Sequence, residues 1–242
     1  MIEEHQRDLH RCWKEDRNYN CYIEDGVFDE REWNNQNIKI LYVLKEANCW
    51  QRDSDGTCHC ATHHKKTLNL CNYLLSEKSP TYWKTWNNVV RWTQAIRFGG
   101  KYQRSITKSD KSKYLKTIAA LNIKKVAGGS QSDSNKILLY GKNDADYIKQ
   151  QIDLYKPDII ICCGQGKVRI ADILYAYVLI TKSNWKKTSN GYHYFLYYPD
   201  PNKKIPVLSF QHPQMWGGHV AFKKSYDDML KIANEFKEQT IL

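Results

Sequence analysis

Four apolar runs interrupt a chain that is otherwise polar: Ile38 to Leu44, Ile118 to Leu121, Ile159 to Cys162 and Ile205 to Phe210. Short runs of β-branched and aliphatic residues without polar alternation predict strands buried on both faces. Between them the apolar period changes to three and four. Trp83, Trp86, Val89, Val90, Thr93 and Ile96 predict a helix that stops at Gly99-Gly100. Further helices are expected from Thr67 to Ser79, over 144–155, over about 167–179, and over 219–236, where Phe222, Tyr226, Met229, Ala233 and Phe236 form one face. The alternating stretch Tyr192 to Tyr198, inside a probable-insertion segment 181–204, predicts an edge strand. Residues 1–36 predict a short helix and an irregular, variable extension. Strands and helices alternate, so the expectation is a single α/β domain over 1–242 with a mainly parallel sheet covered on both sides.

Composition adds a partner. The 242 residues carry 37 Lys and Arg against 26 Asp and Glu, a formal net charge of +11. That balance suits a polyanion whose phosphates attract without regard to sequence. The 8 Trp and 17 Tyr supply stacking surfaces beyond the needs of a core. The basic stretch Lys101 to Lys116, with Arg104, Lys108, Lys111 and Lys113, reads either as a solvated loop or as a phosphate-contacting surface. No run approaches the ~20 apolar residues of a membrane helix, and the start lacks the pattern of a signal peptide. A cytoplasmic protein is therefore expected, with its eight cysteines as thiols or metal ligands. Cys58, Cys60, His63 and His64 are the residues that could ligate zinc, but their spacing is not that of the usual structural sites. No metal or cofactor is expected. Gly128-Gly129-Ser130 lacks the lysine of a phosphate-binding loop.

The apolar runs end in polar residues. Glu46 follows the first, Asn122 the second and His212 the fourth. In an open α/β sheet the carboxyl ends of parallel strands share one edge, where ligands bind. A carboxylate, an amide and an imidazole at that edge suit hydrolysis of a bond to a heterocyclic base.

These residues, in this order, resemble the motifs of the uracil-DNA glycosylase superfamily. Leu44-Lys45-Glu46-Ala47-Asn48 is similar to its first motif, of the G-Q-D-P-Y or G-E-A-P-G type; Asn122, with Lys125 three residues on, is similar to its base-reading asparagine; His212-Pro213-Gln214 is similar to its late His-Pro-Ser motif. The similarity runs from about 38 to 236. It implies a three-layer α/β/α sandwich around a central four-stranded, mainly parallel sheet, and a monomer acting on DNA.

It also implies roles. Glu46 would orient or activate water and stabilise the cationic sugar, and His212 would donate a hydrogen bond to the departing base. Asn122 would read the base edge, with Asn48 and Trp50 completing the pocket. Met215 or Trp216 would wedge into the stack as the target base flips out, while Gln214, Lys45, Lys125 and Lys167 would contact the DNA backbone. Asn48 stands where one branch has a Tyr that excludes C5 substituents, and Ala47 replaces Pro. The resemblance thus implies excision of a C5-modified pyrimidine, such as a glucosylated phage base, with plain uracil as the alternative substrate. A non-cutting reader of modified bases and a metal-dependent nuclease are the rival functions. Cys12 and Cys21 are too far apart for the paired motif of the iron-sulfur branch.

Overall fold

The structure, a computed structural model, describes residues 1–19, 21–48, 66–79, 82–128 and 132–242. Its elements are α1 (Ile2–Arg17), β1 (Cys21–Glu24), α2 (Glu30–Asn34), β2 (Ile40–Asn48), β3 (Lys66–Asn69), α3 (Leu70–Leu75), α4 (Lys84–Arg97), α5 (Lys108–Leu115) and β4 (Ala119–Gly128). There follow α6 (Ser134–Asn143), α7 (Ala145–Tyr155), β5 (Ile159–Cys163), α8 (Ile170–Ile173, continued by a π turn), β6 (Lys186–Lys187), β7 (His193–Asp200), β8 (Lys203–Phe210) and α9 (Gly218–Glu238).

The main sheet has the order β4-β2-β5-β8-β7-β6. The four strands expected from the apolar runs are its parallel part, each paired with the next. The expected count of four is corrected to six, because segment 181–204 adds β7 antiparallel to β8, and β6 antiparallel to β7. A second, small sheet pairs β1 with β3 in parallel.

Side chains alternate across the strands. Ile40, Tyr42, Leu44, Ile161 and Phe210 face Val89, Val90 and Ile96 of α4 and Met229 and Phe236 of α9. Leu41, Val43, Leu121, Ile160 and Val207 face Ile148 and Ile152 of α7, Ile170 of α8 and Trp13 of α1. Both faces are covered, which is why the runs read as continuously apolar. No helix among the described residues is long and apolar enough to cross a membrane. Cys12, Cys71, Cys162 and Cys163 are free thiols, whereas Cys21 is disulfide-bonded, a departure from the reduced state expected of every cysteine.

The first 36 residues are no loose extension. Trp13, Tyr22 and Trp33 are fully buried, and residues 25–28 run along the outer edge of β4. There the Ala120 N–H donates to the Gly26 carbonyl at 2.9 Å and the Phe28 N–H to the Ile118 carbonyl at 3.2 Å. Beneath this edge lies a buried polar network. The Asp25 carboxylate accepts from Lys125 Nζ, from Gln151 Nε2 and from both the backbone N–H and Nδ2 of Asn122. Gln151 donates on to the Tyr155 hydroxyl, which donates to Gln6 Oε1. Gly26 sits at φ +144°, and a Cβ there would lie 2.1 Å from Gln6 Oε1, so the network leaves room for no other residue.

His10 closes the network. Its Nε2 lies 2.7 Å from the Asp25 carbonyl oxygen, which can only accept, and its Nδ1 lies 2.8 Å from the Tyr22 hydroxyl. Nε2 therefore carries the proton, and the ring is neutral. Burial, helped by the nearby Lys125 ammonium, pushes its pKa down from 6.5 to about 4. Between those values the unfolded chain holds a proton that the folded chain excludes. Stability should fall by roughly 1.4 kcal/mol per pH unit as pH drops through that window. Urea midpoints of wild type and His10→Gln, compared from pH 7 to 5, test this; the variant should show the shallower dependence, and equal slopes would refute it.

Candidate functional site at the carboxyl edge of the sheet

Parallel pairing brings the carboxyl ends of β2, β4, β5 and β8 to one edge. Leu44 is in register with Asn122 and Glu46 with Lys124; the register then shifts so that Asn48 meets Gly128. Such an irregularity re-aims side chains at a strand end. The Glu46 carboxylate is ion-paired with Lys124 Nζ and only 5% exposed. It also lies directly over Gly128, where a Cβ would fall 2.0 Å from Glu46 Cδ. Lys124 Nζ in turn stands 5.6 Å from the centre of the Tyr140 ring. Glu46 is thus fixed from two sides by β4, and both partners escaped the reading of the sequence. A glycine and a lysine in one strand carried no signal until register placed them opposite Glu46.

His212 lies just beyond β8, half-buried. Its Nδ1 accepts from the Gln214 N–H at 3.1 Å, which leaves Nε2–H as the outward donor of the neutral ring. Burial lowers its pKa below the ordinary 6.5, and the positive charge of Lys45 lowers it further. A Cβ placed on Gly164, at the turn after β5, would lie 3.2 Å from Lys45 Cε and 3.9 Å from His212 Cδ2. Lys45, Gly164 and His212 therefore crowd one spot between β2, β5 and β8. The His212 loop is braced from α4. Asn88 Nδ2 donates to the Pro213 carbonyl at 2.7 Å and Asn88 Oδ1 accepts from Arg91, which also donates to the carbonyls of Gln103 and Arg104.

Asn122 is placed differently from expectation. It is not a strand tip, since β4 continues to Gly128, and it is 2% exposed. Its amide nitrogen donates to Asp25 at 3.0 Å. Lys125 is fully buried, paired with Asp25 and 4.7 Å from the centre of the Trp13 ring. It has no surface to offer a phosphate, so its assignment as a backbone contact is corrected. Lys45 is half-buried, Lys167 and Gln214 are exposed, and Met215 packs against the core beneath α4 and α9. Trp216 is 89% exposed, with Lys84 Nζ 5.7 Å from its ring centre. Asn48 ends β2. Trp50, Cys58, Cys60, His63 and His64 lie outside the described residues, among which no group of three metal-ligating side chains occurs.

The edge therefore offers an immobilised carboxylate, a neutral imidazole N–H and an adjacent ammonium. That set can polarise a water and stabilise negative charge on a departing group. No family model, curated protein or solved structure matches the chain.

Proposed function

We propose that the protein is a monofunctional DNA glycosylase that takes a pyrimidine out of the stack and hydrolyses its N-glycosidic bond. The observation that carries this reading is the pairing, on one sheet edge, of a Glu46 carboxylate held by Lys124 and Gly128 with a His212 ring whose free nitrogen is a donor. In the reaction the bond between C1′ and the base nitrogen breaks and its electrons leave with the base. His212 Nε2–H donates to the base oxygen on which that charge collects. Glu46 stabilises the cationic sugar, orients the attacking water and accepts its proton. The three-layer, four-strand core of such enzymes corresponds to β4-β2-β5-β8, with β7 and β6 added.

A net charge of +11 would draw the backbone in, with Lys45 and Lys167 beside the site. Exposed Trp216 is the side chain suited to fill the gap left by a flipped base. Asn48, in place of a bulky tyrosine, motivates a C5-modified base as the target in preference to plain uracil.

The test is release of free base, read by mass spectrometry, from unmodified, uracil-containing and C5-modified DNA. Release from C5-modified DNA is expected, and preference for uracil over every modified substrate would remove that part of the reading. One observation favours a non-cutting reader. Asn122 spends an amide N–H on Asp25 instead of presenting it to a base. Tight binding of modified DNA without release from any DNA would select that function.

The neutral state of His212 gives a pH signature. Protonation as pH falls removes the neutral ring that the reaction uses, so the acid limb of kcat/KM should lie below pH 6.5. In Lys45→Met the lost positive charge lets the His212 pKa rise, and the limb should move to higher pH. An acid limb that does not move in that variant would refute the coupling.

A further inference from the structure

A cleft of about 470 Å³ opens between α5 and the segment that follows α3, away from the site described above. Lys116, on its wall, leads directly into the first residue of β4, so the cleft belongs to the amino-terminal side of the sheet, whereas Glu46 and His212 stand at the carboxyl edge. Its walls carry Lys108, Lys111, Lys113 and Lys116, with Glu77 as the one carboxylate. Glu77 is ion-paired with Lys108, which leaves the other three lysines as an excess of positive charge. Two observations set this cleft apart from an ordinary basic surface. Lys111 is 3% exposed, and burial pulls its ammonium down to about 8. Ser79, also on the wall, is 7% exposed, and its hydroxyl has no hydrogen-bond partner.

A buried hydroxyl left unsatisfied costs about 1–3 kcal/mol, and positive charge concentrated in a concave wall raises the local concentration of anions. An anion with several acceptor oxygens would answer both features at once. It would accept from the Ser79 hydroxyl and stand against Lys111, Lys113 and Lys116. We infer that this cleft is a second binding site, for a phosphate group, carried either by a small phosphomonoester or by a nucleic-acid backbone passing the amino-terminal side of the sheet. The inference does not depend on the glycosylase reading, and it is tested by binding alone.

Inorganic phosphate is titrated into the full-length protein by calorimetry, at low ionic strength. One saturable site with a Kd in about the millimolar range or tighter is expected. Lys113→Ala combined with Lys116→Ala should weaken it by roughly tenfold, and Ser79→Ala by roughly three- to tenfold. Lys113 is exposed and Lys116 half-buried, so the double variant should fold, and it decides the matter if Ser79→Ala does not. Absence of saturable binding at tens of millimolar phosphate, or an affinity unchanged in the folded variants, would overturn the inference. A single-stranded oligonucleotide that displaces the phosphate would identify the backbone as the occupant; failure to displace it would identify a small phosphomonoester.

Discussion

Glu46→Gln should lower the rate of base release by two to four orders of magnitude, the usual weight of a positioned acid-base group, while leaving the protein folded. The amide is isosteric, and its oxygen can still accept from Lys124. Gly128→Ala offers a second, independent approach to the same group. A methyl at that position would overlap the Glu46 carboxyl carbon at 2.0 Å, and the atoms it meets are the end of a side chain, which can swing aside more readily than backbone. The carboxylate should therefore leave its place without loss of the fold. Activity should fall nearly as far as in Glu46→Gln, with the melting temperature within a few degrees of wild type. Single-turnover kinetics on the preferred DNA, beside calorimetry of both variants, reads the two effects separately. Full activity in Glu46→Gln would eliminate the proposed chemistry, and full activity in Gly128→Ala would show that the placement of the carboxylate is unimportant.

The largest stability effect should come from Asp25→Ala. Its carboxylate receives four hydrogen bonds from Asn122, Lys125 and Gln151, and Lys125 has no exposure through which to recover water. Removing one member of a buried ion pair strands the other, at a cost of about 3–5 kcal/mol. In a chain of this length that corresponds to roughly 6–20 °C in melting temperature. Lys125→Met should cost less, because Asp25 keeps the Asn122 and Gln151 donors. The double variant should fall short of the sum of the two, as expected for groups that share a contact. A shift of under about 2 °C for Asp25→Ala would mean that water reaches the pair. Because Asp25 also holds Asn122, Asp25→Asn is the gentler probe of base recognition: it retains an acceptor oxygen but no charge.

The sheet was legible where burial on both faces wrote uninterrupted apolar runs into the chain. Ile40 to Leu44, Ile159 to Cys162 and Ile205 to Phe210 each lie in the strand that their composition predicts. α4 and α9 were legible from their spacing. β4 was legible only at its start. Beyond Leu121 its side chains are Asn122, Lys124 and Lys125, polar residues that read as a loop because their partners, Asp25 and Glu46, are remote in sequence. α5 was hidden for a different reason. Its residues, Lys-Ser-Asp-Lys-Ser-Lys, show almost no apolar stripe, and the available signal was the capping box made by Thr107 and Asp110. Gln6 and His10 gave no warning either, since polar residues on a charged helix ordinarily face water. In the candidate site, Glu46 and His212 were legible as strand-end residues, whereas Lys124, Gly128 and the Asn88 brace became visible only through register and packing.

Residues 25–28 have one more consequence, for how copies of this protein behave toward each other. An outermost strand with free N–H and C=O groups is a template for another chain. At one side of the main sheet the last strand is a two-residue piece, Lys186–Lys187, whose exposed side chains repel a second copy. At the other side, β4 is ten residues long, and its outer face is occupied by the chain's own amino-terminal segment. The protein thus keeps itself from polymerising by folding its beginning over its own most adhesive strand. A version cut after Phe28 would lose that cover, and light scattering should find it self-associating where the full chain stays dispersed.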